Sequence, residues 1–270
     1  MMKRTILALL AGFAVAGAGC QSVDTTKAGV VGVERDQRMM VSSEEMHAGA
    51  EKAYAQMMAE AKAKRALNRN PEQVERVREI AKRLIAQVDT FRDDAEKWDW
   101  EANVISSKDV NAWAMPGGKM AVYTGLIERL DATEDELAAV MGHEIAHALR
   151  EHGRERASRA MGQGLLLSVL GAAAGVSGGV MDLSQMVLDV TLNLPNSRTH
   201  ETEADRIGVE LAARAGYDPR AAISLWQKMA KAGGGGPPEF LSTHPSHETR
   251  LADLREYSRK VMPLYNKAKR

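Results

Sequence analysis

The sequence predicts an α+β fold, mainly helical with a small sheet, and three stretches predict it. Apolar residues recur at helical spacing from Val74 to Val88, and a second helical run follows Thr133. Between them a strand-like alternation surrounds the turn Pro116-Gly117-Gly118. The 270 residues are 44% apolar and 27% charged, which suits one domain with a sizeable core. With 36 basic and 36 acidic side chains the formal net charge is zero, so nucleic acid is not expected as a partner.

In chain order, Lys3 and Arg4 precede the uncharged, mostly apolar residues 6–18, the pattern of a signal peptide over residues 1–19. Cys20, the only cysteine, follows Gly17-Ala18-Gly19 and excludes a disulfide framework. Its setting suggests a bacterial lipobox, with Gly17 where Leu is usual, and hence lipid attachment at Cys20. Gln21 rather than Asp after it suggests an outer-membrane destination on the periplasmic face. Residues 20–43 lack periodicity and are expected to form a tether with little order. The domain is then 44–270. Residues 44–67 predict a charged helix, expected as a peripheral arm, and residues 71–90 a core helix with Pro71 in its first turn. Residues 98–106 predict a strand, and residues 111–124 a hairpin or bent strand pair. That segment is either a substrate-aligning strand or a plain core hairpin.

The chemistry lies in His143-Glu144-Ile145-Ala146-His147, within a helix expected over residues 133–148. Thr133 and Glu136 form a capping box that starts it. Four residues of helix turn the chain by about 400°, so both imidazoles share a face and can chelate one metal ion. Glu144, about 100° round, is placed to act as a general base on a metal-bound water. This spacing points to a zinc hydrolase, with hydrogen-bonded core histidines as the bland alternative.

A catalytic zinc site takes three protein ligands. The extended pattern HExxHxxGxxH is excluded, because Arg150 and Gly153 stand where Gly and His are needed. His152 would lie about 140° round a continuing helix, a poor ligand expected on the surface. Glu201 fits better, since Asp205 falls one turn on, where it can bond the outer nitrogen of a ligating histidine. His200 and Glu203 remain as competitors.

The HExxH helix, Ser197-Arg198 through Glu201-Thr202-Glu203-Ala204-Asp205, and Asn111-Ala112 with Pro116-Gly117-Gly118 resemble the gluzincin metallopeptidase family of the CAAX prenyl protease and HtpX. The likeness spans residues 74–254 and is nearest the periplasmic lipoprotein members of the BepA and LoiP type. It implies a zincin-type domain with one zinc ion held by His143, His147 and Glu201, Asp205 behind them and Glu144 as catalytic base. Met120, Ala121, Val122, Tyr123 and Thr124 would form the substrate-binding edge strand. Thr243-His244-Pro245 and Arg250 also resemble the family, and His244 would close or assist the open zinc position. The implied activity is metalloendopeptidase cleavage of unfolded or misassembled envelope proteins, with a zinc-containing chaperone or binding module as the alternative. His247 is expected to be exposed at a helix start. Residues 160–181 carry no charge and are expected as a buried or lid-like helix pair rather than a membrane span. The glycine-rich residues 233–238 are expected to be a linker.

Overall fold

In the computed structural model, which describes residues 21–173, 182–232, 238–246 and 249–269, the chain opens on an antiparallel pair, β1 (Gln21–Val23) and β2 (Gln37–Met39). The expected loose tether is therefore corrected: residues 21–42 lie against the domain. Their polar groups are consumed by distant elements, which orders a segment that has no periodic pattern. Gln37 is fully buried and donates to the Arg150 carbonyl and to Glu155, both at 2.8 Å. The amides of Val30 and Val31 donate to the Glu210 carboxylate at 3.1 and 2.9 Å.

Helix α1 (Ser43–Ala63) starts at a capping box of Ser42 and Glu45. It is no peripheral arm. Met46, Ala50, Ala53 and Tyr54 are buried in a second core with Trp113, Met115 and Val187, its alanines allowing close approach while its charges face solvent. Helix α2 (Pro71–Ile85) is capped by Asn70 and buries Val74, Val77, Ile80, Ala81 and Leu84 on one face. The helix expected to residue 90 ends at Ile85, and Val88–Thr90 is a separate 3-10 turn.

The sheet has three strands, β3 (Glu101–Ile105), β4 (Ala112–Met115) and β5 (Lys119–Tyr123), in the order β3-β5-β4. β5 pairs parallel with β3 and antiparallel with β4 across the Pro116-Gly117-Gly118 turn, whose glycines adopt φ of 82° and 91°. This corrects the substrate-edge expectation. Met120, Ala121, Val122 and Tyr123 belong to the central strand, with both backbone edges taken, and Thr124 already starts helix α3 (Thr124–Arg129). The physical reason is that Lys119 through Val122 are all buried, a pattern that suits a strand flanked on both sides. The strand packed against the helix that carries His143 and His147 is β4.

Helix α4 (Glu134–Leu149) begins at the predicted capping box, with Thr133 accepting from the Glu136 amide at 3.2 Å and Glu136 accepting from the Thr133 amide at 2.9 Å. After Arg150 the chain breaks at Glu151, whose φ is 51°, and restarts as α5 (His152–Ala173). Then follow α6 (Leu183–Leu188) with a π-helical turn, α7 (Arg198–Arg214), α8 (Ala221–Lys231), the short α9 (Glu239–Thr243) and α10 (Arg250–Ala268). The most extensive packing joins α4 to α7. It is close enough that a Cβ on Gly142 would meet the Gly208 carbonyl oxygen at 2.9 Å, and one on Gly208 the His143 nitrogen at 2.8 Å.

Among the described residues no helix is long and apolar enough to cross a membrane. Of the uncharged run 160–181, residues 160–173 continue α5 and 174–181 lie outside the described residues. Cys20, residues 233–237 and His247 also lie outside them.

Candidate metal centre

Helix α4 presents His143 and His147 one turn apart, and α7 crosses it with Glu201 on the facing side. A loop after α9 adds His244. One ligand atom from each of these four buried residues lies within 4.8 Å of all the others. The histidine Nε2 atoms are 3.0 Å apart, and they stand 3.5 and 3.4 Å from the Glu201 carboxylate.

Hydrogen-bond bookkeeping decides what this cluster can hold. Nδ1 of His143 is 2.9 Å from Asp205, whose carboxylate also accepts from Arg250 at 2.7 Å. A carboxylate only accepts, so the His143 proton sits on Nδ1 and its Nε2 offers a lone pair. Nδ1 of His147 is 2.8 Å from Nδ1 of His152, and Nε2 of His152 is 2.9 Å from Glu203. Burial holds both imidazoles well below the usual histidine pKa, so they are neutral. Glu203 takes the His152 proton on Nε2, which leaves His152 Nδ1 to accept from His147. Nε2 of His147 is then a second lone pair. Two histidine lone pairs and a carboxylate meet at one buried point, with Nδ1 of His244 beside them at 3.0 Å from Glu201 and 3.2 Å from Nε2 of His143. The two lone pairs with the carboxylate form a donor set that fits a cation.

Glu201 is itself stabilised as an anion. Burial would raise its pKa, but His244, His147 and His143 outweigh that and hold it well below the ordinary range. Arg250 donates to it at 2.8 Å and lies 3.3 Å over the Trp226 ring. Glu144 is pushed up by burial, against the nearby His244 and His143. Its Oε1 makes no hydrogen bond and stands 3.5 Å from Nε2 of His244. Burial lowers His244, but Glu144 and Glu201 outweigh it and the net shift is upward. His244 also stacks on Phe240, with centroids 4.2 Å apart.

The structure thus brings together His143, Glu144, His147, Glu201, Asp205 and His244, all named from the sequence. It separates the two competitors. His200 turns away to Glu155 at 3.2 Å, and Glu203 binds His152, Arg35 and Arg150. One expectation is corrected: His152 is fully buried rather than a surface residue. The angle of about 140° assumed a continuing helix, whereas the break at Glu151 turns His152 back beneath His147. Sequence reasoning also gave no role to Arg35 or to the carboxylate bonds of Arg250.

The family model for peptidase family M48 matches residues 71–258. The mitochondrial metalloendopeptidase OMA1 of Schizosaccharomyces pombe is 39% identical over 160 residues, covering 58% of this chain and 46% of that protein. Human metalloendopeptidase OMA1 is 34% identical over 176 residues, 61% of this chain and 33% of that protein. The beta-barrel assembly-enhancing protease of Escherichia coli is 32% identical over 170 residues, 60% of this chain and 35% of that protein. The chain spans about a third to a half of the length of these relatives.

Proposed function

We propose, since this chain belongs to peptidase family M48, that it is a zinc-dependent metalloendopeptidase with His143, His147 and Glu201 as ligands and Glu144 as general base. The observation that carries this reading is the meeting of two histidine lone pairs and a carboxylate at a buried point. A zinc ion held by these three residues would supply Lewis acidity toward a carbonyl and a water. Glu144 does the proton work. Its raised pKa suits it to take a proton from water and return it to the leaving amine.

Substrate lies along β4, whose Ala114 lines the same cleft as Glu144, His147 and His244. The substrates are unfolded or misassembled cell-envelope proteins, recognised through their backbone. The support is the export and lipidation pattern ending at Cys20, together with an Escherichia coli relative named for enhancing beta-barrel assembly. A lipid at Cys20 holds the enzyme on the membrane, on the periplasmic face.

His244 keeps the resting enzyme latent. It stands among the ligands, and the cleft it closes has a volume of about 30 Å³, room for about one water and not for a peptide. Glu144→Gln should retain zinc and lose cleavage of an unfolded casein-type substrate by about 10²- to 10⁴-fold. Wild type and variant equally inert, both suppressing aggregation, would establish the chaperone reading instead. His244→Ala should raise basal cleavage. A fall with zinc unchanged would show that His244 stabilises the transition state rather than blocking the site.

A further inference from the structure

The cleft around Glu144 holds three buried polar atoms without hydrogen-bond partners, Glu144 Oε1, Asn196 Oδ1 and Arg156 Nε. Glu144 belongs to the chemistry already described. Asn196 is fixed by donating from Nδ2 to the Thr243 carbonyl at 3.3 Å, which leaves its oxygen turned away as an acceptor. Arg156 is the unexplained one. Its Nη1 is tied to the Leu194 carbonyl at 2.8 Å, and among the described residues no carboxylate lies within ion-pair distance.

The neighbouring guanidiniums make the contrast. Arg35, Arg92, Arg150, Arg154 and Arg250 each face a carboxylate. Glu151, which also lines the cleft, is already matched by Arg92 and Arg154. Glu201 is matched by Arg250 and the histidines. Among the described residues Arg156 is therefore the guanidinium of the cleft with no carboxylate at ion-pair distance. Burial pushes Arg156 down to about 10, against the raising fields of Glu201 and Glu144, so it stays charged at neutral pH. A half-buried guanidinium with one arm anchored and its Nε free offers the planar fork that carboxylates bind.

We infer that Arg156 is a specificity residue that binds a carboxylate of the substrate peptide in the active-site cleft. The carboxylate comes from an Asp or Glu side chain near the scissile bond or from the free carboxyl terminus of the peptide. This rests on the metalloendopeptidase reading above. It predicts a cut-site preference that the backbone contacts along β4 cannot supply, since strand addition reads every sequence alike.

The test uses quenched fluorescent peptides that differ only by Glu or Gln at each position flanking the cut, each with a free or amidated carboxyl terminus. Wild type should favour one carboxylate over its neutral partner by about 10- to 100-fold in kcat/KM, chiefly through KM. In Arg156→Gln that ratio should fall to about one with zinc content unchanged, and Arg156→Lys should restore part of it. Sensitivity to Glu against Gln identifies a side chain, and sensitivity to amidation identifies a terminus. An equal loss on charged and neutral peptides, or a preference that survives in Arg156→Gln, overturns the assignment. Should zinc-loaded wild type cleave no peptide, the protease reading fails separately. Fluorescence anisotropy of the same peptides on Glu144→Gln, with and without Arg156→Gln, still reads the preference as an affinity ratio.

Discussion

His143 and His147 leave the same helix four residues apart and point at the same spot, yet they are held from behind in opposite ways. His143 leans on a charge: Asp205 bonds its outer nitrogen, and Arg250 from α10 locks that carboxylate in place. His147 leans on a neutral ring, and the charge lies one step further back, where Glu203 bonds His152 and Arg35 bonds both Glu203 and Glu155. The outermost group of the first support, Arg250, opens the last helix, and that of the second, Arg35, lies in the segment before α1. An anion in contact with a ligand raises its basicity directly, whereas an imidazole relay fixes orientation and tautomer with less electrostatic push. The two supports should therefore differ in how much metal affinity they carry.

The largest effect removes what both histidines share. Glu201→Ala should abolish zinc binding, whereas His200→Ala should keep about one zinc per protein molecule, as metal analysis of the purified variants will show. Equal loss in both, or loss only in His200→Ala, would break the ligand assignment and the comparison with it.

The supports themselves come next. Asp205→Ala and His152→Ala should each weaken zinc within the range of about 10- to 100-fold, with Asp205→Ala the more severe. Competition with a chelator at fixed pH measures both. Equal losses would mean that the neutral relay holds its ligand as strongly as the charge does.

The smallest effect lies at the outer end of the relay. Arg35→Ala leaves Glu155 and Glu203 short of a partner and should destabilise the fold by about 1–3 kcal/mol in urea unfolding at neutral pH. Burial would raise the Glu155 pKa, but His200, Arg35 and Gln37 outweigh it and hold the group far below the ordinary carboxylate range. Its contribution is thus complete above the unfolded carboxylate pKa of about 4.3 and fades as pH falls through the folded value. The gap between wild type and variant should close in strong acid. A gap that widens there would show that Arg35 acts otherwise.

How far each support was legible follows from how local its signal is. Asp205 was visible because Glu-x-x-x-Asp on one helix fixes both residues to one face, whatever the rest of the protein does. The capping box at Thr133 was visible for the same reason. His152 was not, because its position depends on one left-handed residue, Glu151, that composition does not mark. Arg35 was hidden because residues 21–42 owe their order to partners more than a hundred positions away. The place of Met120 to Tyr123 in the middle of the sheet was also out of reach, since strand order is set by which elements meet and not by the strand's own pattern. His244 came through a family likeness, because nothing near it in the sequence joins it to α4.

Where α4 and α7 cross, Gly142 and Gly208 leave no side chain between the two backbones. The gap between the helix that carries both imidazoles and the helix that carries the carboxylate is consequently a gauge set by peptide geometry, which has one dimension, and not by rotamers, which have several. A joint of that kind has almost no tolerance: a single methyl at either glycine would sit inside contact distance of the opposite backbone. The jaws would be wedged open by a few tenths of an ångström, an error comparable to the precision of about 0.5 Å that a working site demands. The two least conspicuous residues of the crossing thereby calibrate the bite of the whole centre.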